Sequence, residues 1–345
     1  MQQPELVEWL FEHSGPILRY RVAVELMDVS AQERERLLNA SLATPEVQRW
    51  LANLRQSRSI HGSTDTHAEN ALSKLLDYGL NCAVPAFAGS AEHVLDCPLQ
   101  MWDSFVLLPF LIRAGYTGHP RLMDWLPSRL EKLHHTAQRG IFDFYLSSTE
   151  AARVPKAWRS KPVYRDEFGH QAGYPLPTCY DFYALAYCPS MPGIGDFPSK
   201  SESMPGIVDF PAISESIVAF LSDARFQSTV GGYGWDKATR RCYAAGRVFL
   251  ACVTPARMVL FLELGARFNS ARQSDWFQQG LSSLEKYRTP RGTYRFPPGR
   301  LVEKNGYQLY GGSHMGLGED RHSPLAMELE STFHMLYIHK RMQNE

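Results

Sequence analysis

Apolar residues that return every three or four positions, segment after segment, constrain this chain most, because each such run specifies one face of a helix. Leu6, Trp9, Leu10 and His13 share one face, and a second segment, residues 16–27, opens with a proline at a first-turn position after Gly15. Residues 32–42 follow, then 45–54, announced by Thr44-Pro45-Glu46: a cap, an N1 proline and a first-turn acid. Residues 66–78 carry Ala68, Ala71, Leu72, Leu75 and Leu76 at helical spacing and stop at Gly79. Residues 99–114 and 119–137 read as another pair, the first bent at Pro109. Thr254-Pro255 starts a helix that Gly265 ends, and Ser323-Pro324 starts a last one that runs to about Met342. Residues 241–253 stay open between a strand and a broken helix. The expected class is all-α.

Charge narrows the partners. Thirty-six basic and thirty-six acidic side chains cancel, so no global field attracts nucleic acid or an anionic membrane. The opening MQQPELVEWLFEHSG places Glu5, Glu8 and Glu12 among its apolar residues and does not read as a signal peptide. The longest charge-free apolar stretch near the middle, residues 104–112, is far short of the roughly 20 residues a spanning helix needs. Six cysteines without a C-x-x-C pair suit a reduced, cytoplasmic protein with no disulfide framework and no cofactor motif.

One segment repeats itself. Residues 190–198, SMPGIGDFP, return as residues 203–211, SMPGIVDFP. Each copy is too short for a helical hairpin, and two copies are too few for a solenoid. The second runs straight into AISESIVAFL, a helix it introduces, so the first reads as a loop-lengthening duplication inside one domain spanning 1–345.

Between the helices lie turns that pair glycine with an aromatic residue: Gly140-Ile-Phe142, GGYGWD at 231–236 and RGTYRFP at 291–297, with His61-Gly-Ser63 beside them. Glycine permits the turn and the ring anchors it. With GPILRYRVAVEL (15–26) and ESTFHMLYIHKR (330–341), this pattern resembles the α/α toroid of the squalene cyclase and protein prenyltransferase superfamily, over most of the chain. The resemblance implies inner and outer rings of helices around a central ligand cavity. It also implies motifs that are missing, since neither D-x-D-D nor D-D-x-x-D occurs, and the nearest approach to a D-x-C zinc pair is the reversed Cys179-Tyr180-Asp181. No metal site is expected; His61, Asp65 and His67 resemble a loop site but read better as a turn followed by a capped helix, with Asp65 as the cap and His67 facing solvent.

Candidate chemistry gathers at three places. Asp181, in PLPTCYDFYALAYCP, is either the N3 partner of a Thr178 cap or an acid whose pKa is set among Tyr180, Tyr183 and their neighbours. Glu330 and His334 stand four apart on the last helix and can meet as an acid-oriented base, with Phe333 on the same helix. The glycine-rich run 307–320 reads as a loop over one end of the toroid and offers Tyr310 and His314, with His61 at the cavity mouth and Trp235 in the GGYGWD turn. The functional expectation is a cyclase or isomerase acting on a terpenoid or other lipophilic molecule in an aromatic-lined cavity. Two alternatives stand beside it: a carbohydrate-active α/α-barrel enzyme, with Asp181 and Asp236 as its first carboxylate pair, and a noncatalytic binding protein.

Overall fold

The structure, a computed structural model, describes residues 3–98, 101–169, 172–173, 175–188, 209–229, 232–236, 241–244 and 255–343. Helices dominate them. The first half is built from α1 (Gln3–His13), α2 (Pro16–Glu25), α3 (Ala31–Leu42), α4 (Pro45–Gln56), α5 (Ala68–Asp77), α6 (Pro85–Asp96), α7 (Met101–Ala114) and α8 (Pro120–Arg139). The second half follows with α9 (Cys179–Tyr187), α10 (Phe210–Ser222), α11 (Ala224–Gln227), α12 (Pro255–Gly265), α13 (Asn269–Arg272), α14 (Asp275–Glu285), α15 (Gln308–Gly311) and α16 (Ala326–Gln343). Two four-residue strands, β1 (Tyr233–Asp236) and β2 (Arg241–Ala244), pair antiparallel with Trp235 opposite Cys242. Among the described residues, no helix is long and apolar enough to cross a membrane.

Local sequence explains most helix starts. Ser30 and Thr44 accept hydrogen bonds from the backbone N–H of Glu33 and Val47, and prolines occupy the first turns of α2, α4, α6, α8 and α10. Of the repeat, residues 189–208 lie outside the described residues. The end of the second copy does introduce α10, since the Asp209 carboxylate accepts the Ala212 N–H at 3.0 Å and Pro211 sits in the first turn. Of the open segment 241–253, residues 241–244 form β2 and the remainder is not described. Pro109 lies inside α7, which continues past it to Ala114.

Two populations of helices differ in what they bury. α4 buries one stripe, Val47, Trp50, Leu51 and Leu54, each side chain contributing about 1.5–3 kcal/mol, and leaves its other face wet. α5 buries nine of its ten residues, α9 eight of nine, α12 eight of eleven and α16 twelve of eighteen. A helix buried on every side belongs to the interior. These interior helices follow one another in contact: α5 packs on α7, α7 on α9, α9 on α12, α12 on α16 and α16 on α2. α2 then meets the end of α5 at Gly79, whose φ is +83° and where a Cβ would stand 2.8 Å from Arg21 Cδ.

The same six helices point one way. At one end, Gly15 N–H before α2 donates to Glu319, Tyr180 at the start of α9 donates to Glu69 at the start of α5, and Leu317 N–H donates to Glu330 in the first half of α16. There too, Gly312 (φ +71°) approaches Arg257 at the start of α12 so closely that a Cβ would lie 2.8 Å from its backbone nitrogen. At the other end, Arg113 closes α7 by donating to Asp77 and Tyr183, Arg267 lies 4.5 Å over the Tyr187 ring, and Arg341 donates to Glu25.

Candidate functional site

The unusual feature of the interior is that it is charged. Along α5, Glu69, Asn70, Ser73 and Lys74 are all buried among Ala68, Ala71, Leu72, Leu75 and Leu76. Burying such groups costs stability unless each is paired, and the structure pairs the two ionisable ones. Glu69 is 3% exposed; its carboxylate accepts from Tyr180 Oη at 2.8 Å, from Gly62 N–H at 3.1 Å and from His61 Nδ1 at 3.0–3.1 Å. The His61 ring, partly exposed, stacks on Tyr307 at 4.8 Å, and Tyr310 meets Tyr307 edge-on at 5.7 Å. Burial and the adjacent Glu69 charge push the Tyr180 phenol well above its ordinary value, so it remains a donor.

One turn along α5, Lys74 is 1% exposed and donates to Glu303 at 2.8 Å and to the carbonyls of His314 and Gly316 at 3.1 and 2.7 Å. Burial alone would raise the Glu303 carboxyl, but Lys74, His314 and the Gly316 N–H outweigh it and hold the group at about 2. His314 lies between Glu303 and Asp65, 3.6 Å from each, with its ring against the edge of Trp50. Its φ of 58° makes it the one non-glycine residue with positive φ among the described residues. Strain of that kind persists only where surrounding contacts enforce it, and here Lys74 grips the His314 carbonyl.

A third group completes this end. Glu330, 0% exposed, receives the N–H groups of Leu317 and Glu319 and pairs with Arg321. Burial raises its carboxyl. Burial also carries Glu319 up to about 7, against the Gly15 N–H and with a push from the Glu330 charge. The loop from Leu301 to Arg321 thus ties all three groups together over the starts of α2, α5, α12 and α16. The residues of the glycine-rich run gather at this end of the six helices.

The expected residues divide. His61, Tyr180, Tyr310 and His314 meet at this end. Tyr183 lies further along, accepting from Arg113 at 2.7 Å. Asp181 points elsewhere: its oxygens take two hydrogen bonds from Arg129 of α8, at 2.6 and 2.7 Å, while Thr178 completes a capping box. Tyr180 and Asp181 are neighbours in sequence, and the helix turns them to different partners. The expected Glu330–His334 contact is corrected: Glu330 turns to the loop, and His334 Nδ1 pairs with Glu263 of α12. Phe333 stacks on Tyr337 at 5.7 Å beneath Arg21, within a smaller core formed by α1, α2 and α16. Trp235 is half-buried on β1, and no hydrogen bond or ring contact among the described residues ties it to His61. Asp65, expected as a helix cap, instead pairs with Arg49 at 2.9 Å, and α5 begins after His67.

Sequence reading passed over Glu69, Lys74, Glu303 and Glu319. For the first two the sequence carries no mark of burial, because Glu69, Asn70, Ser73, Lys74 and Asp77 share one face of α5 opposite its apolar residues, as they would on a surface helix. Glu303 and Glu319 sit in loop, where no periodicity marks them. Among the described residues, no group of three or more His, Cys, Asp or Glu side chains is placed to hold a metal ion. No protein-family model, curated protein or solved structure matches the chain.

Proposed function

We propose that α2, α5, α7, α9, α12 and α16 form the inner ring of an α/α toroid. We further propose that the end capped by the 301–321 loop is the active site of an isomerase-type enzyme moving protons on a hydroxylated, saccharide-like small molecule. The succession of contacts from α5 round to α2, with Gly79 after α5 against Arg21 and Tyr20 of α2, and the common direction of these helices support the ring, as does the resemblance in the Gly-aromatic turns. Parallel helices also bring their N-terminal ends together, favouring negative charge at that end. That is where Glu69, Glu303, Glu319 and Glu330 lie.

The observation that carries the chemistry is the Glu69–His61 pair stacked on Tyr307. A carboxylate on Nδ1 fixes the imidazole tautomer and leaves proton exchange to Nε2. In an isomerisation, His61 Nε2 takes a proton from the hydroxyl-bearing carbon beside a carbonyl, and the electron pair moves into the carbonyl to give an enediolate. The hydroxyl proton passes to the former carbonyl oxygen, and His61 returns its proton to the former carbonyl carbon as the other oxygen becomes the new carbonyl. The proton balance is zero and no redox partner is required. Stacked tyrosines at a rim rich in carboxylates suit a ring that presents a C–H face and several hydroxyls.

The terpenoid cyclase implied by the resemblance is the second reading, favoured by Phe110 against Tyr180 and Tyr183 at 6.4 and 5.2 Å. An apolar substrate would strip water from the charged lining and offer it no hydrogen bonds, which favours the first reading. The test is incubation in heavy water with aldoses, ketoses, prenyl alcohols and prenyl diphosphates, followed by NMR. The proposal expects deuterium beside the carbonyl of a sugar, with a rate on the order of 100-fold lower in Glu69→Gln. Conversion of a prenyl compound with no exchange into any sugar would overturn it.

A further inference from the structure

Away from the residues just described, a cleft of about 580 Å³ opens between the end of α10, α11, α12 and α14. Its size falls in the roughly 300–1,000 Å³ range of small-molecule sites. Three buried polar atoms in its wall, Ser222 Oγ, Gln227 Oε1 and Trp276 Nε1, have no hydrogen-bond partner among the described residues. Ser222 and Gln227 are each 7% exposed. Gln227 shows why its oxygen is left over: Nε2 donates to the Leu221 carbonyl at 2.5 Å, which turns Oε1 away from the backbone. Buried polar groups are ordinarily satisfied, so three orphans in one wall point to a ligand that supplies the missing partners.

The wall also selects the ligand's chemistry. Asp275, exposed at the edge, is its one ionisable side chain, so nothing cationic awaits a phosphate or carboxylate. Ser228, Ser274 and Ser283 lend their hydroxyl protons to backbone carbonyls at 2.9, 2.6 and 2.7 Å, which leaves the Ser228 and Ser283 oxygens as acceptors, while the Ser274 oxygen also takes the Phe277 N–H at 3.3 Å as the cap of α14. With Gln227 Oε1 the lining is rich in acceptors, while Trp276 Nε1 is a donor and the Ser222 hydroxyl serves either way. Met258 and the Trp276 ring supply apolar surface, brought close by Gly280, where a Cβ would stand 2.9 Å from Met258 Sδ. A fitting ligand is uncharged, carries several O–H donors and some acceptors, and has one apolar face.

We propose that this cleft is a noncatalytic binding site for a neutral saccharide, a pyranose unit laid against Trp276 with its hydroxyls on Gln227, Ser222 and the serines. It shares no lining residue with α5, α9 or the 301–321 loop, and it does not rest on the chemistry proposed for His61.

The test follows the indole N–H of Trp276 by NMR in protein labelled with [¹⁵N]tryptophan, its resonance assigned by its loss in Trp276→Phe. Titration with maltose or cellobiose to tens of millimolar is expected to shift this resonance saturably. By calorimetry, Trp276→Phe is expected to bind at least tenfold more weakly. Ser228→Arg, at the exposed rim, keeps the indole and should abolish the shift. In Glu69→Gln the shift should persist unchanged, which separates this site from the proposed active site. A Trp276 resonance that ignores both sugars, or that moves for acetamide or adenine instead, overturns the proposal.

Discussion

Replacing Asp181 by Asn separates a structural acid from a catalytic one. Asparagine keeps the size, and its carbonyl oxygen can still accept the Thr178 N–H that Asp181 receives at 2.7 Å, so the capping box loses little. What disappears is the negative charge facing Arg129, in a pair whose side chains are only 3% and 2% exposed. Removing one partner of such a pair leaves the other charge uncompensated and costs about 3–5 kcal/mol, several times the loss of a cap. At an m-value of about 3 kcal/mol/M, the urea midpoint followed by circular dichroism should fall by about 1–2 M. Arg129→Met in the same chain should recover most of that loss, because it removes the stranded charge. Turnover per folded molecule should stay within about threefold of wild type, far from the 100-fold or more expected for an essential acid. A midpoint shift worth less than about 1 kcal/mol, or a 100-fold loss of turnover at unchanged stability, would refute the reasoning.

Two carboxylates set opposite pH dependences. Glu319 holds its proton up to about 7 in the folded chain against an ordinary 4.5, so folding takes up a proton in that window and stability falls as pH rises through it. Glu319→Gln should remove that slope and raise the urea midpoint at pH 8. Glu303 is held at about 2, so its contribution is full above about 4.5 and is lost as pH falls toward 2; Glu303→Gln should flatten the acid limb of the same curve. Deleting residues 190–202 should leave the thermal midpoint within about 2 °C, since Asp209 and Pro211 still start α10; a fall worth more than about 2 kcal/mol would show that the deleted copy supports the fold.

Helices were legible wherever a cap or proline coincided with a 3.6-residue stripe, as in α4. α6 escaped because small residues carry much of its sequence and blur the stripe. The distinction between interior and exterior helices was less visible. α16 has apolar and polar residues on every side, and only its burial shows a helix enclosed by the rest of the chain. Candidate residues were found where an unusual type stood out, as with His61, Tyr180 and His314. Their partners were not, because Glu69–Tyr180 spans 111 positions and Lys74–Glu303 spans 229. Only packing brings such residues together, and local periodicity carries no record of it. For Asp181 the competing readings depended on the direction of one side chain, and a single turn of helix decides that direction.

The most direct test of the central claim is a crystal structure of Glu69→Gln soaked with the sugar that the wild-type protein exchanges. The account predicts the sugar ring over Tyr307 and Tyr310, with the carbon beside its carbonyl within about 3.5 Å of His61 Nε2, the separation of a near-attack geometry. Sugar density at the Trp276 cleft alone, with none at His61, would contradict it.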